Sequence, residues 1–211
     1  MNVLITGATG DIGKAITKIF KDNNCSVYTP SRDELDLSVD PILNRTDFDI
    51  VINNAGINPL NNFLDIRDNT VMQVNYLSPM SIIQQCLPHM VKRGYGRIVN
   101  VGSIWIDFAK NKRHAYSASK SALHTLTKTL TVEYSKYNIL TNTVSPGFID
   151  TKLTHKNNTV EEIKNLLTKV PTGRLGKPDE IANLIYYLTI HNDFITGQNI
   201  RIDGGFSCAV N

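Results

Sequence analysis

The sequence predicts an α/β domain: a doubly wound parallel sheet with helices on both faces. Three observations carry that prediction. Short apolar runs alternate with longer amphipathic stretches along the chain, the pattern of strands joined by crossover helices. A glycine-rich turn, Thr6-Gly7-Ala8-Thr9-Gly10-Asp11-Ile12-Gly13, separates the first apolar run from the first amphipathic one. The 211 residues, 41% apolar and 19% charged, suffice for one domain, 1–211, with a sizeable core. The expected architecture is three-layered and Rossmann-type, with ligands at the carboxyl ends of the strands.

In chain order, Val3–Thr6 reads as a strand and Asp11 to Lys21 as the helix after the turn. Ser26–Thr29, Asp49–Asn53 and Arg97–Val101 follow as strands, with a helix over Asp68 to Lys92 between the last two. A helix over Tyr116 to Lys136 leads to strand Leu140–Val144. A helix over Asp179–Thr189 and a strand at Asn199–Ile202 close the pattern.

The glycines at 7, 10 and 13 permit positive φ and bring backbone N–H groups close to a pyrophosphate at a helix N-terminus. With a strand before it and a helix after it, the turn predicts dinucleotide binding through Gly7, Thr9, Gly10, Asp11, Ile12 and Gly13. At the end of the second strand, Ser31-Arg32 offers a hydroxyl and a guanidinium, which suit a ribose 2′-phosphate and favour NADP(H). Asp33 keeps NAD(H) open, since a register slip would turn its carboxylate to a free 2′-hydroxyl.

Tyr116-Ser117-Ala118-Ser119-Lys120 sets a phenol and an ammonium four residues apart, on one face of a helix. A nearby cation lowers a phenol's pKa and makes it a usable proton donor and acceptor. Alone the pair is weak, because the chain holds eight tyrosines and the spacing recurs by chance.

A net charge of +3 is too small to argue for nucleic acid or a membrane as partner. No apolar run approaches the length of a membrane span, and the N-terminus lacks the basic region and cleavage site of a signal peptide. Cys25, Cys86 and Cys208 are far apart, with no metal-binding spacing. They read as reduced thiols of a cytoplasmic protein.

The chain resembles the short-chain dehydrogenase/reductase family nearly end to end, and acyl-carrier-protein reductase-like members in particular. The likeness rests on the glycine turn, Asn53-Asn54-Ala55-Gly56, Asn75 within Val74-Asn75-Tyr76, and Ser103 thirteen residues before Tyr116. It continues through Pro146-Gly147-Phe148-Ile149-Asp150-Thr151, Ile195-Thr196-Gly197-Gln198 and Asp203-Gly204-Gly205. The resemblance implies hydride transfer between a nicotinamide and a ketone or secondary alcohol. Tyr116 would be the proton donor, Lys120 would lower its pKa and hold the ribose, Ser103 would bind the substrate oxygen, and Asn75 would hold a water. It further implies cofactor contacts from Asn53, Asn54, Ala55, Gly56, Pro146, Gly147, Ile149 and Thr151. It also implies a homodimer or homotetramer, paired through the helices at 68–92 and 116–136.

The chain departs from the family in two places. Asp11 stands where single-domain members carry glycine, and is expected to cap the first helix. Segment 33–48 is too short for a full crossover helix and strand. A trimmed sheet edge follows, with Asp36 and Leu37 against adenine. Lys152–Val170 corresponds to the substrate lid and offers one short helix, about Val160–Lys169.

Lys110-Asn111-Lys112-Arg113-His114 reads as a solvated loop or as a recruiter of anionic substrate. Trp105 is either pocket or core. The rival functions are a sugar or nucleotide-sugar ketoreductase and a non-catalytic NADP-binding sensor.

Overall fold

The computed structural model describes residues 1–65 and 69–209. Its strands are β1 (Asn2–Ile5), β2 (Ser26–Tyr28), β3 (Ile50–Asn53), β4 (Gly96–Val101), β5 (Ile139–Pro146) and β6 (Asn199–Ile202). Its helices are α1 (Asp11–Asp22), α2 (Thr70–Met72), α3 (Ser78–Arg93), α4 (His114–Tyr134), α5 (Lys152–Asn157), α6 (Val160–Leu167), α7 (Pro178–Tyr186) and α8 (Phe206–Ala209). The strands form one parallel sheet in the order β2-β1-β3-β4-β5-β6. The order reverses between β1 and β3, so a crevice opens at their carboxyl ends.

Alternation along the strands sorts the core into two layers. Val3 and Ile5, Ile50 and Ile52, and Val99 and Val101 pack under α1 and α7. Leu4, Val51 and Ile98 face the other way, under α3 and α4. This is the Rossmann-like arrangement that the alternation predicts, with strand bounds within two residues of the expected runs.

Residues 33–48 carry neither strand nor helix, as their length requires. The segment is held down instead. Leu35, Leu43 and Phe48 are buried. The Gln85 side chain accepts from Leu43 N at 2.9 Å and donates to Pro41 O at 2.9 Å, while Ser78 Oγ donates to Leu37 O at 2.8 Å. A loop pinned to α3 thus covers that flank, and β2 is left as the sheet edge.

Three expectations are corrected. The helix expected over Asp68 to Lys92 is broken by a π turn, Gln73–Leu77, between α2 and α3; its first residue lies outside the described residues. The lid holds two helices, α5 and α6, where one was expected. Thr151 caps the first through a bond from Thr154 N, and Thr159 forms a capping box with Glu162 on the second. The helix bearing Tyr116 begins at His114, which sets the tyrosine inside its first turn. Among the described residues no helix is long and apolar enough to cross a membrane.

Candidate active site

Two adjoining cavities lie at the carboxyl ends of the strands. The larger, about 790 Å³, is lined by Thr6 through Gly13, by Pro30 to Arg32, by Leu35 to Ser38, and by Asn54 to Ile57. The smaller, about 190 Å³, is walled by Ser103, Trp105, Tyr116 and Lys120 on one side and Pro146 to Ile149 on the other. Gly56, Asn54, Ile12, Thr151 and Leu153 line both.

The glycine turn forms a cradle held from below. Gly7 has φ +67°, and a Cβ on it would lie 2.7 Å from Ala55 Cα. A Cβ on Gly13 would lie within 2.9 Å of both Ala8 Cα and the Asn54 amide, and closer still to Gly7 O. Gly10 meets nothing nearer than 3.5 Å. Asn54 Nδ2 donates to the carbonyls of Thr6 and Gly7, both at 3.0 Å, so this side chain braces the turn. We expect Gly13→Ala to lose about 3 kcal/mol of stability, because backbone must move to admit the methyl. Gly10→Ala, at the N-cap position of α1, should lose under about 1 kcal/mol. Urea midpoints of the two variants measure the difference, and equal midpoints would refute the steric account.

Asp11 does not cap α1. Gly10 occupies the cap position, with extended backbone and no side chain to offer. The Asp11 carboxylate instead accepts from Lys152 N at 2.7 Å, at the start of α5. It still points at a helix N-terminus, as its charge favours, but at the lid's. The turn and lid are thereby joined across 141 residues of sequence.

At the adenine end, Ser31, Arg32, Asp36 and Leu37 line the larger cavity, and Asp33 is not among its lining residues. Arg32 is exposed, 3.8 Å from Asp36. Asn53, expected among the cofactor contacts, is buried within β3 and donates to Asn100 Oδ1 at 2.9 Å. Its side chain braces β3 against β4 and lines neither cavity. Lys152 and Lys156 line the larger cavity as well; neither belongs to a motif read from the sequence, and their spacing of four, which sets both on one helix face, is the signal that could find them.

The polar groups of the smaller cavity converge. Ser103 is nearly buried and caps the turn Ile104–Ile106 by accepting from Trp105 N at 3.3 Å. A hydrogen bond from Ser103 and the charge of Arg113 both act to lower the Tyr116 pKa, but burial outweighs them and holds the phenol above its ordinary value. The Lys120 ammonium sits 5.8 Å from the Tyr116 ring centroid and donates to Val101 O at 2.6 Å. It is only 3% exposed, and burial pushes its own pKa down to about 8.

Asn75 lies in the π turn and is fully buried. Its Oδ1 accepts from Ile57 N at 2.9 Å, and its Nδ2 donates to Ile57 O and Ser119 Oγ, both at 3.0 Å. The bulge turns this amide inward, where it ties the loop after β3 to α4. A Cβ on Gly56 would lie 3.3 Å from Asn75 Oδ1 and 3.4 Å from Lys120 Nζ, so glycine there leaves both polar atoms room.

Trp105 is both wall and core. It lines the smaller cavity and packs edge-on against Phe148 and Phe206 at 6.1 and 6.3 Å. The basic run splits. Lys112 is exposed, whereas Arg113 is buried and, with half-buried Lys110, lines the cavity.

Residues 31–207 match the family described as enoyl-(acyl carrier protein) reductase. The chain is 34% identical to a 3-oxoacyl-[acyl-carrier-protein] reductase of Thermotoga maritima, covering 96% of each, and 36% identical to that of Buchnera aphidicola, covering 97% of this chain and 86% of the relative. Among solved structures it is similar to a 4-hydroxyisoleucine dehydrogenase complexed with NADH, at 27% identity and a TM-score of 0.86, covering 98% of each chain. It is also similar to a protein of Agrobacterium tumefaciens described as a 2-deoxy-d-gluconate 3-dehydrogenase, with bound NADP. There the identity is 26% and the TM-score 0.85, covering 98% of this chain and 96% of that one.

Proposed function

The chain belongs to the short-chain dehydrogenase/reductase family and is an oxidoreductase acting on C=O or CH–OH groups; from that premise we propose that it works with NADP(H) on a small ketone or secondary alcohol. The observation that carries the proposal is the convergence of Ser103, Tyr116 and Lys120 on one cavity that adjoins a glycine cradle. The cradle fits a dinucleotide: Thr6 to Gly13 line the larger cavity at the N-terminus of α1, and the bare glycines at 7 and 13 let the turn fold tightly onto Ala55, Asn54 and Ala8.

When bound, the nicotinamide supplies or accepts the hydride. The chain does the rest. In reduction, Tyr116 gives its proton to the carbonyl oxygen as charge develops there, and Ser103 donates a hydrogen bond to the same oxygen. In oxidation Tyr116 takes the proton back. Lys120 holds the ribose hydroxyls. Asn75 fixes the loop that carries Gly56, and its Oδ1 keeps a free lone pair for a water beside Lys120. Ile149 and Thr151 seat the carboxamide, and Asp11 ties α5 to the turn.

Ser31 and Arg32 on the cavity, with Asp33 off it, support NADP(H) over NAD(H). Leu77 and Val132, exposed on the π turn before α3 and on α4, support pairing of copies through those helices. The structural neighbour described as a deoxygluconate dehydrogenase keeps sugar-derived substrates as a second reading.

The test is nicotinamide absorbance with a carbonyl panel and both cofactors. We expect turnover with NADPH and a KM for it at least about tenfold higher in Arg32→Ala, with NADH little affected, because a guanidinium–phosphate pair is lost. Tight cofactor binding without turnover of any carbonyl would point to a sensor. An Arg32→Ala enzyme with an unchanged NADPH KM would remove the NADP(H) preference.

A further inference from the structure

The catalytic cavity contains a second buried cation besides Lys120. Arg113 is the residue before α4, and its carbonyl accepts from Ser117 N at 2.8 Å. Arg113, Tyr116 and Lys120 stand at spacings of three and four, which places them on one stripe of the helix. Lys112 takes a left-handed φ of 63° just before it, and Lys112 O accepts from Asn61 N at 3.3 Å. That anchored reversal puts Lys112 in solvent and Arg113 inside.

Arg113 is 6% exposed, and its Nε is buried without a hydrogen-bond partner. Among the described residues no carboxylate forms an ion pair with it. Among the described residues no Asp or Glu lines the smaller cavity, whereas Lys110, Arg113 and Lys120 all do. Lys110 stands 5.4 Å from the Trp105 ring centroid. A buried guanidinium without a counter-ion is costly, and burial depresses the Arg113 pKa. A cost of this kind is retained where a ligand relieves it.

We propose that the substrate is a short-chain oxo acid, or the matching hydroxy acid, whose carboxylate pairs with Arg113. The proposal rests on the oxidoreductase reading and names its substrate class. Guanidinium matches a carboxylate bidentately. Lys110 adds a second positive charge at the cavity. The cavity of about 190 Å³, which the nicotinamide would share at Ile149 and Thr151, leaves room for a molecule of a few carbons, not an extended chain. With the carboxylate on Arg113, the carbonyl is held one helical turn along the stripe, at Tyr116. The pair fixes orientation, so the hydride adds to one face of the carbonyl carbon. The C=O π electrons move to oxygen, and oxygen takes the Tyr116 proton.

The experiment compares 2-, 3- and 4-oxo acids (pyruvate, acetoacetate, levulinate) with their methyl esters, using the NADPH-loaded enzyme. In the wild type at least one acid should exceed its ester about 100-fold in kcat/KM. In Arg113→Gln that acid-to-ester ratio should fall about 50-fold or more, mostly through KM for the acid, and Arg113→Lys should keep part of it. The ratio cancels any effect of Arg113 on the Tyr116 proton. Equal efficiency for acid and ester in the wild type overturns the proposal, as does an unchanged ratio in Arg113→Gln. A phosphorylated ketone, dihydroxyacetone phosphate, outpacing every oxo acid would also overturn it. If no carbonyl turns over, calorimetry with butyrate and the NADP-loaded enzyme still decides. Binding lost in Arg113→Gln upholds the carboxylate site while the oxidoreductase reading falls. Turnover of neutral ketones without butyrate binding does the reverse.

Discussion

Tyr116→Phe should lower kcat by about 10² to 10⁴-fold, the range for losing a positioned general acid. It should leave the dissociation constant for NADPH within about threefold, since the glycine cradle is untouched. Burial holds the phenol above its ordinary pKa, and only Ser103 and Arg113 act against it. At neutral pH the proton is therefore present, and the free enzyme is poised as an acid for reduction. Oxidation needs the phenolate, so its rate should climb with pH well past neutrality in the wild type. The Phe variant should show a flat residual rate in both directions. A Phe enzyme with wild-type turnover, or one that keeps the pH slope in oxidation, would show that another group moves the proton.

The contrast between this residue and its neighbours shows what a single sequence reveals. The Tyr-x-x-x-Lys spacing and the interval back to Ser103 are local, and helix geometry alone puts the first two on one face. The trimmed edge at 33–48 was legible because chain length bounds what can be built. Asp11 was half-legible. Its attraction to helix N–H groups followed from charge, but its partner Lys152 is 141 residues away and nothing local names it. The π turn at Gln73–Leu77 has no signal in composition, yet it aims Asn75 inward. Arg113 was the least legible. Lys110-Asn111-Lys112-Arg113-His114 reads as a solvated loop or as a recruiter of anions, and only the chain reversal at Lys112 separates buried Arg113 from exposed Lys112. Asn53 misled for the opposite reason. It belongs to a motif, but strand alternation turns its side chain to Asn100 and away from the cavities.

Lys120→Met should abolish useful turnover while stabilising the fold. The ammonium is almost wholly buried, and among the described residues its one hydrogen bond is to the Val101 carbonyl and no carboxylate pairs with it. Its pKa falls from 10.5 to about 8 through burial, which corresponds to on the order of 3 kcal/mol of cost to folding while both states are charged. Methionine removes that charge and fills similar volume. The carbonyl it leaves with one bond fewer costs about 1 kcal/mol in return. A net gain of about 2 kcal/mol in unfolding free energy should appear at pH 6.5. The sign of its pH dependence follows from where the protons sit. Below about 8 the lysine is charged in both states, and the cost is complete. Between about 8 and 10.5 the folded lysine has lost its proton and the unfolded one has not, so wild-type stability rises with pH and the gap closes. Above 10.5 both are neutral and only the carbonyl cost remains, leaving the Met variant the less stable. Urea midpoints at pH 6.5, 8 and 10.5 measure this. A Met variant that is weaker at pH 6.5, or a gap that ignores pH, would show that Lys120 is not a strained charge. The expected opposition of stability and turnover is the mark of a group kept for its chemistry: on the proposed mechanism, the fold tolerates a buried cation at Lys120 because the cofactor ribose needs one there.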